Sequence, residues 1–149
     1  MWPAAIAAII AAVVAAASTM YASHEQSKAA DYNKKVAEVE AENAQNKAAY
    51  EERAHRENLK RILSSQQALY GKAGVDMSGT PLLVMEESAE QGELDALAIR
   101  YGGDVAAARA RSEANLYKMQ SSSAKKTGYA SAGSSLLTGA AKAYSAYGG

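Results

Sequence analysis

Residues 71–81 read GKAGVDMSGTP, and this stretch decides the fold. Gly71, Gly74 and Gly79 place three glycines in nine residues, directly after a run from His24 to Tyr70 that contains neither glycine nor proline. Glycine loses more backbone freedom in a helix than any other residue, so the cluster ends whatever helix precedes it. Thr80-Pro81 then restarts one. Thr80 reads as the N-cap and Pro81 as the first helical residue, where a missing N–H costs nothing; Glu86 and Glu87 follow in the early turns.

Working outward, the preceding run is built from good helix formers. Tyr32, Val36, Val39, Asn43, Asn46 and Tyr50 recur at alternating spacings of four and three, which predicts a thin, partly polar heptad seam. Leu59, Ile62, Leu63 and Leu69 strengthen it toward the turn. A helix of about 47 residues would be roughly 70 Å long. On the far side, Leu82, Leu83, Val84, Met85, Leu94, Leu97, Ile99 and Tyr101 supply apolar residues to a second arm of similar length, running to about Lys126. Gly102-Gly103 within it marks a kink or a point of close packing.

Arms of equal length around a short turn predict an antiparallel helical hairpin, with residue i facing roughly residue 150 minus i. In that register Arg53, Arg56, Lys60 and Arg61 face the acidic block Glu86, Glu87, Glu90, Glu93 and Asp95. Glu38, Glu40 and Glu42 face Arg109 and Arg111; Glu51 and Glu52 lie near Arg100, and Glu25 near Lys125 and Lys126. Each exposed pair is worth at most about 1 kcal/mol, so the charges set register more than they supply stability. The competing reading is an ordinary solvated face of mixed charge.

The composition fits closely packed helices. The 149 residues include 35 alanines, no phenylalanine, no cysteine, and 16 basic against 16 acidic side chains. Side chains this small cannot fill a wide globular core. Zero net charge argues against a generally basic nucleic-acid binder, and the lack of cysteine excludes disulfide scaffolds, thiol nucleophiles and cysteine zinc sites. The chain divides into an apolar N-terminal helix (1–23), a long charged helix (24–71), a glycine-rich turn (72–80), a second long helix (81–127) and a Gly/Ala/Ser-rich C-terminal segment (128–149).

No charged side chain precedes His24 and Glu25. Pro3 to Ser23 as a helix would span roughly 31 Å, close to the hydrocarbon thickness of a bilayer. Trp2, Ile6, Ile9, Ile10, Val13 and Val14 are the candidate membrane-inserting residues, with Trp2 and Tyr21 near the two ends as interfacial anchors. A signal peptide would need a basic n-region, which is missing. A protein-buried alanine helix is the alternative. Ala4, Ala8, Ala12 and Ala16 repeat every four residues, as do Ala7, Ala11 and Ala15, and such spacing lets helices approach closely. The hairpin brings this segment to the same end as the C-terminal tail, whose only charge is Lys142 and whose larger residues are Leu136, Leu137, Tyr144 and Tyr147. Its hydroxyls would turn to a neighbour or a water-filled lumen; the alternative is a flexible tail.

No catalytic constellation emerges. His24 and His55 are the only histidines, and His55 within EERAHRE reads as solvent-facing. Glu51, Glu52 and Glu57 alternate with Arg53 and Arg56 and read as a solvated face; the glycines lack the context of a phosphate or dinucleotide loop. No cofactor or metal is implied. Arg100, Arg109 and Arg111 belong to a locally basic stretch that could line a channel and touch DNA without sequence preference.

At GVDMSGTPLLVMEESAEQGELDALAIRYGGDVAAARARSEANLY, residues 74–117, the chain resembles the small internal virion (ejection or core) proteins of short-tailed, podovirus-type phages. The similarity extends to the alanine-rich N-terminus and to SAGSSLLTGAA, residues 131–141. The resemblance implies a non-enzymatic protein held inside the capsid near the portal with other internal proteins. On infection it would enter the host envelope and oligomerise with itself, in contact with membrane lipid, as part of a conduit for DNA. A structural portal adaptor without membrane activity and a holin-like inner-membrane pore former are the alternatives.

Overall fold

The computed structural model describes residues 2–76 and 78–147, with the side chains of residues 2–5, 8, 146 and 147 outside the described set. Two helices take up nearly all of it: α1, Trp2–Lys72 (71 residues), and α2, Thr80–Tyr147 (68 residues). The protein is an all-α two-helix hairpin. Both helices run on where the composition changes, α1 through 23/24 and α2 through 127/128. Hydroxyls of the terminal regions bond back onto their own helix. Ser23 donates to the Thr19 carbonyl (2.7 Å), Ser27 to His24 (2.9 Å), Ser135 to Ser131 (2.9 Å) and Thr138 to Ser134 (2.8 Å).

The turn closes both helix ends with glycine. Gly74 has φ of 67°, Gly74 N–H donates to the Gly71 carbonyl (3.3 Å) and Val75 N–H to the Tyr70 carbonyl (3.1 Å). This is the paired C-terminal bonding that a left-handed residue just past a helix makes possible, and glycine alone adopts that conformation without strain. Gly79, at φ 76°, begins the second helix: its carbonyl accepts Leu83 N–H at 3.2 Å. The cap therefore sits at Gly79, one residue before the expected Thr80, because the residue whose carbonyl starts the ladder defines it.

Contacts divide the chain into two units, Met1–Ala37 with Ser112–Gly149 (unit 1) and Glu38–Arg111 (unit 2). In unit 2 the core is Ala41, Ala107 and Ala110, with Ala44 packed against them. A Cβ at Gly103 would overlap Ala48, so there α2 approaches α1 as only glycine allows; at Gly92 the Leu59 side chain lies over the glycine. Unit 1 repeats the scheme with Ala16, Ser27, Ala30 and Ala37 on α1 and Ala114, Ser121, Ala124 and Ala132 on α2, all buried. A Cβ at Gly128 would come within 2.5 Å of Ser23.

From Tyr32 to Tyr50 the heptad stripe expected as the seam is not the one that packs, whereas nearer the turn Leu59 and Leu63 are half-buried and Leu59 lies against Gly92. Tyr32, Val36, Val39 and Tyr50 are 68, 47, 55 and 74 % exposed, and Asn43 and Asn46 are exposed as well. In each unit, alanines about half a helical turn away are buried instead. Large side chains would hold the two backbones apart. Methyl groups and glycines let them close, which gains dispersion along the contact but only about 0.8 kcal/mol per buried carbon.

Candidate functional site

In unit 1 the apolar stretch of α1 keeps its larger side chains outward. Ile6, Ile9, Ile10, Val13 and Val14 are each at least half exposed, whereas Ala16 is buried and Ala12 half-buried. Ala7, Ala11 and Ala15 are exposed along with the branched residues. The Trp2 side chain lies outside the described residues, as do those of Ala4, Ala8 and Tyr147. Across from this stretch, Ala11, Ala12 and Ala15 line a shallow groove with Ser134, Ser135, Thr138, Gly139 and Lys142. The tail is thus helical and packed in unit 1. Ser134, Ser135, Thr138 and Ser145 donate to carbonyls of their own helix. Leu136, Leu137 and Tyr144 are exposed. Among the described residues no helix is long and apolar enough to cross a membrane; the side chains of residues 2–5 and 8 of the charge-free stretch lie outside that set.

In unit 2 the charged residues converge on one carboxylate. Glu52 is 5 % exposed, accepts a hydrogen bond from Arg56, and lies 3.9 Å from Arg100. Arg56 also donates from Nε to Glu93 at 3.0 Å. The bond to Glu93 and, less strongly, that to Glu52 hold the Arg56 guanidinium even more firmly protonated than usual. The structure brings together Arg56 and Glu93 from the expected pairing set. Arg53, Lys60, Arg61, Glu86, Glu87 and Glu90 are exposed and make no ion pair among the described residues. Of the basic residues considered as channel-lining, Arg100 is directed at Glu52 and Arg111 donates to the Gln45 side-chain amide oxygen (2.8 Å), while Arg109 is exposed.

Several contacts differ from the sequence reading. Lys125 pairs with Asp31 (3.4 Å) and Glu25 with Lys28 one turn along α1 (3.4 Å), so a local partner displaces the expected Glu25–Lys125 contact. A Ser121 hydroxyl and the Lys125 ammonium hold the Asp31 carboxyl below its ordinary range, against partial desolvation. His55 is half-buried rather than solvent-facing: Nε2 donates to the Gly92 carbonyl at 3.1 Å. Gln45 bridges Asp104 and Arg111. Glu52 was expected on a solvated face and is buried. It lies four residues after Ala48 and eleven after Ala41, so continuing the alanine stripe at helical spacing would have located it.

Among the described residues no cluster of histidine, aspartate and glutamate could hold a metal ion. No family model, curated protein or solved structure matches the chain.

Proposed function

We propose that this chain is an internal virion (ejection) protein of a short-tailed phage. It would be stored in the capsid near the portal and released into the host envelope to form part of a membrane conduit for the genome. The observation that carries this reading is the outward placement of Ile6, Ile9, Ile10, Val13 and Val14 on a helix that buries Ala16 and half-buries Ala12. Five aliphatic side chains left at least half exposed along one charge-free stretch favour an apolar neighbour over water. In a particle that neighbour is protein; after release it is lipid, so a change of partner is part of the mechanism. The resemblance of residues 74–117 supplies the phage context. Portal and other internal virion proteins are the proposed neighbours before release, and contact with DNA through Arg109 and Arg111 would be non-specific.

Mass spectrometry of purified particles before and after triggered genome release tests the placement. Presence in full particles and loss from emptied ones is expected; absence from both would sink the reading and point to a holin-like protein made late in infection. Membrane action is read from dye release by liposomes. Ile9→Asp with Val13→Asp is expected to abolish it, and unchanged release would remove the N-terminal stretch from the mechanism. A structural adaptor without membrane activity is the second reading, in which these same side chains pack against protein throughout. It predicts retention in emptied particles and no dye release.

A further inference from the structure

The stripe that the hairpin leaves unused has the pattern of a second helix–helix contact. Within unit 2, Val39 and Tyr50 stand on the face of α1 opposite the buried Ala41 and Ala48, with Asn43 and Asn46 exposed between them. Their spacing assigns Asn43 and Tyr50 to a positions and Val39 and Asn46 to d positions of a heptad. Glu42 then falls at g and Lys47 at e, both exposed. The sequence continues the assignment N-terminally, with Val36 at a, Tyr32 at d, Lys35 at g and Glu40 at e. Tyr32 and Val36 are exposed in their own unit.

We propose that α1 of two copies associates through this stripe as a parallel, in-register coiled coil. In that arrangement each g residue faces the e residue five positions further along the partner helix. Glu42 meets Lys47 of the other copy, and Lys35 meets Glu40, each twice by symmetry, and no like-charged pair arises. The antiparallel arrangement about the centre of the stripe would set Glu40 against Glu40 and Glu42 against Glu42. Charge therefore selects the parallel form and a second copy of this chain. Asn43 at an a position reinforces the choice, since like asparagines meet only in register and fix it at some loss of stability. Lipid is a poor occupant of this face, because it would leave two asparagines and the flanking charges without partners. Lys47 now lies 3.9 Å from Glu51 with its side chain 75 % exposed, so it can turn to the partner without disturbing a buried contact.

This rests on the proposed function in giving the conduit a contact between copies, but it is tested on the purified chain alone and fails or stands independently of virion placement. The sequence contains no cysteine, so single cysteines report cleanly. The full-length Asn43→Cys chain, in a non-ionic detergent under mild oxidation, is expected to form a disulfide dimer as its main product. Asp95→Cys, exposed on α2, is expected to remain mostly monomer. Adding Lys47→Glu to Asn43→Cys should cut the dimer fraction by about threefold or more, and Glu42→Lys on top should restore it. No cross-link at Asn43→Cys, equal cross-linking at Asp95→Cys, or indifference to the charge reversal would each overturn the proposal.

Discussion

Gly102 and Gly103 are neighbours on α2 with opposite requirements. Nothing lies within 4 Å of a Cβ built at Gly102, whereas one at Gly103 would overlap Ala48 and come 3.2 Å from the Ala44 carbonyl oxygen. Gly102→Ala is expected to stabilise by up to about 1 kcal/mol, through reduced backbone entropy loss. Gly103→Ala should destabilise by about 1–3 kcal/mol through overpacking, and Ala48→Gly should recover part of that. Urea unfolding of the three variants reads both effects. Asp31 offers a pH test at the same scale. Its carboxyl is held below the ordinary value of 3.8, first by the Ser121 hydroxyl. Its stabilising contribution is therefore fully present above that value and is lost as pH falls through the lower folded value. Ser121→Ala keeps a small buried side chain on the seam, and should move the Asp31 titration up toward 3.8 in an NMR titration. An unmoved titration would remove the hydroxyl as the cause.

The two arms depend on their glycine ends and on one buried carboxylate. Gly74→Ala and Gly79→Ala each force a Cβ into the left-handed region, and each is expected to cost about 1–2 kcal/mol in thermal or chemical unfolding. In the ion cluster the order of effects is diagnostic. Arg56 and Glu93 are both about half exposed, so Glu93→Gln should cost less than about 1 kcal/mol. Arg56→Met strands Glu52, whose side chain is 7 % exposed and whose remaining ion partner is Arg100 at 3.9 Å. It should cost more than Glu93→Gln, by about 1 kcal/mol or more. Equal effects would show that Glu52 does not need Arg56. The existence of two arms and the place of the turn were legible, because glycine clusters and proline act locally. Which stripe faced inward was not. Periodicity ranks stripes by hydrophobicity, whereas an isolated pair of helices is selected by how closely the backbones can approach.

The described residues bury alanines and leave most of their larger apolar residues on the surface, from Ile6 in unit 1 to Leu94, Leu97 and Tyr101 in unit 2. A hairpin organised this way is stabilised by whatever covers those faces. Its melting temperature is therefore expected to rise with protein concentration, as mass action requires when association and folding are linked. Differential scanning calorimetry over a hundredfold dilution checks it, and a constant melting temperature would mean that the hairpin is self-sufficient.

The sequence alone determined what local chemistry controls: two long helices, a turn closed by Gly74 and Gly79, and a first stretch free of charge. It also carried the heptad spacing of Tyr32 to Tyr50 and the opposite charges beside it, since those depend only on position along one helix. The tertiary structure decided which faces meet. It put Ala41 and Ala48 rather than Val39 and Tyr50 against the other helix, buried Glu52, tied Lys125 to Asp31, and made Gly103 a contact and Gly102 not. These follow from the separation and rotation of two packed helices, which differ by fractions of a side chain and are set only when both backbones are in place.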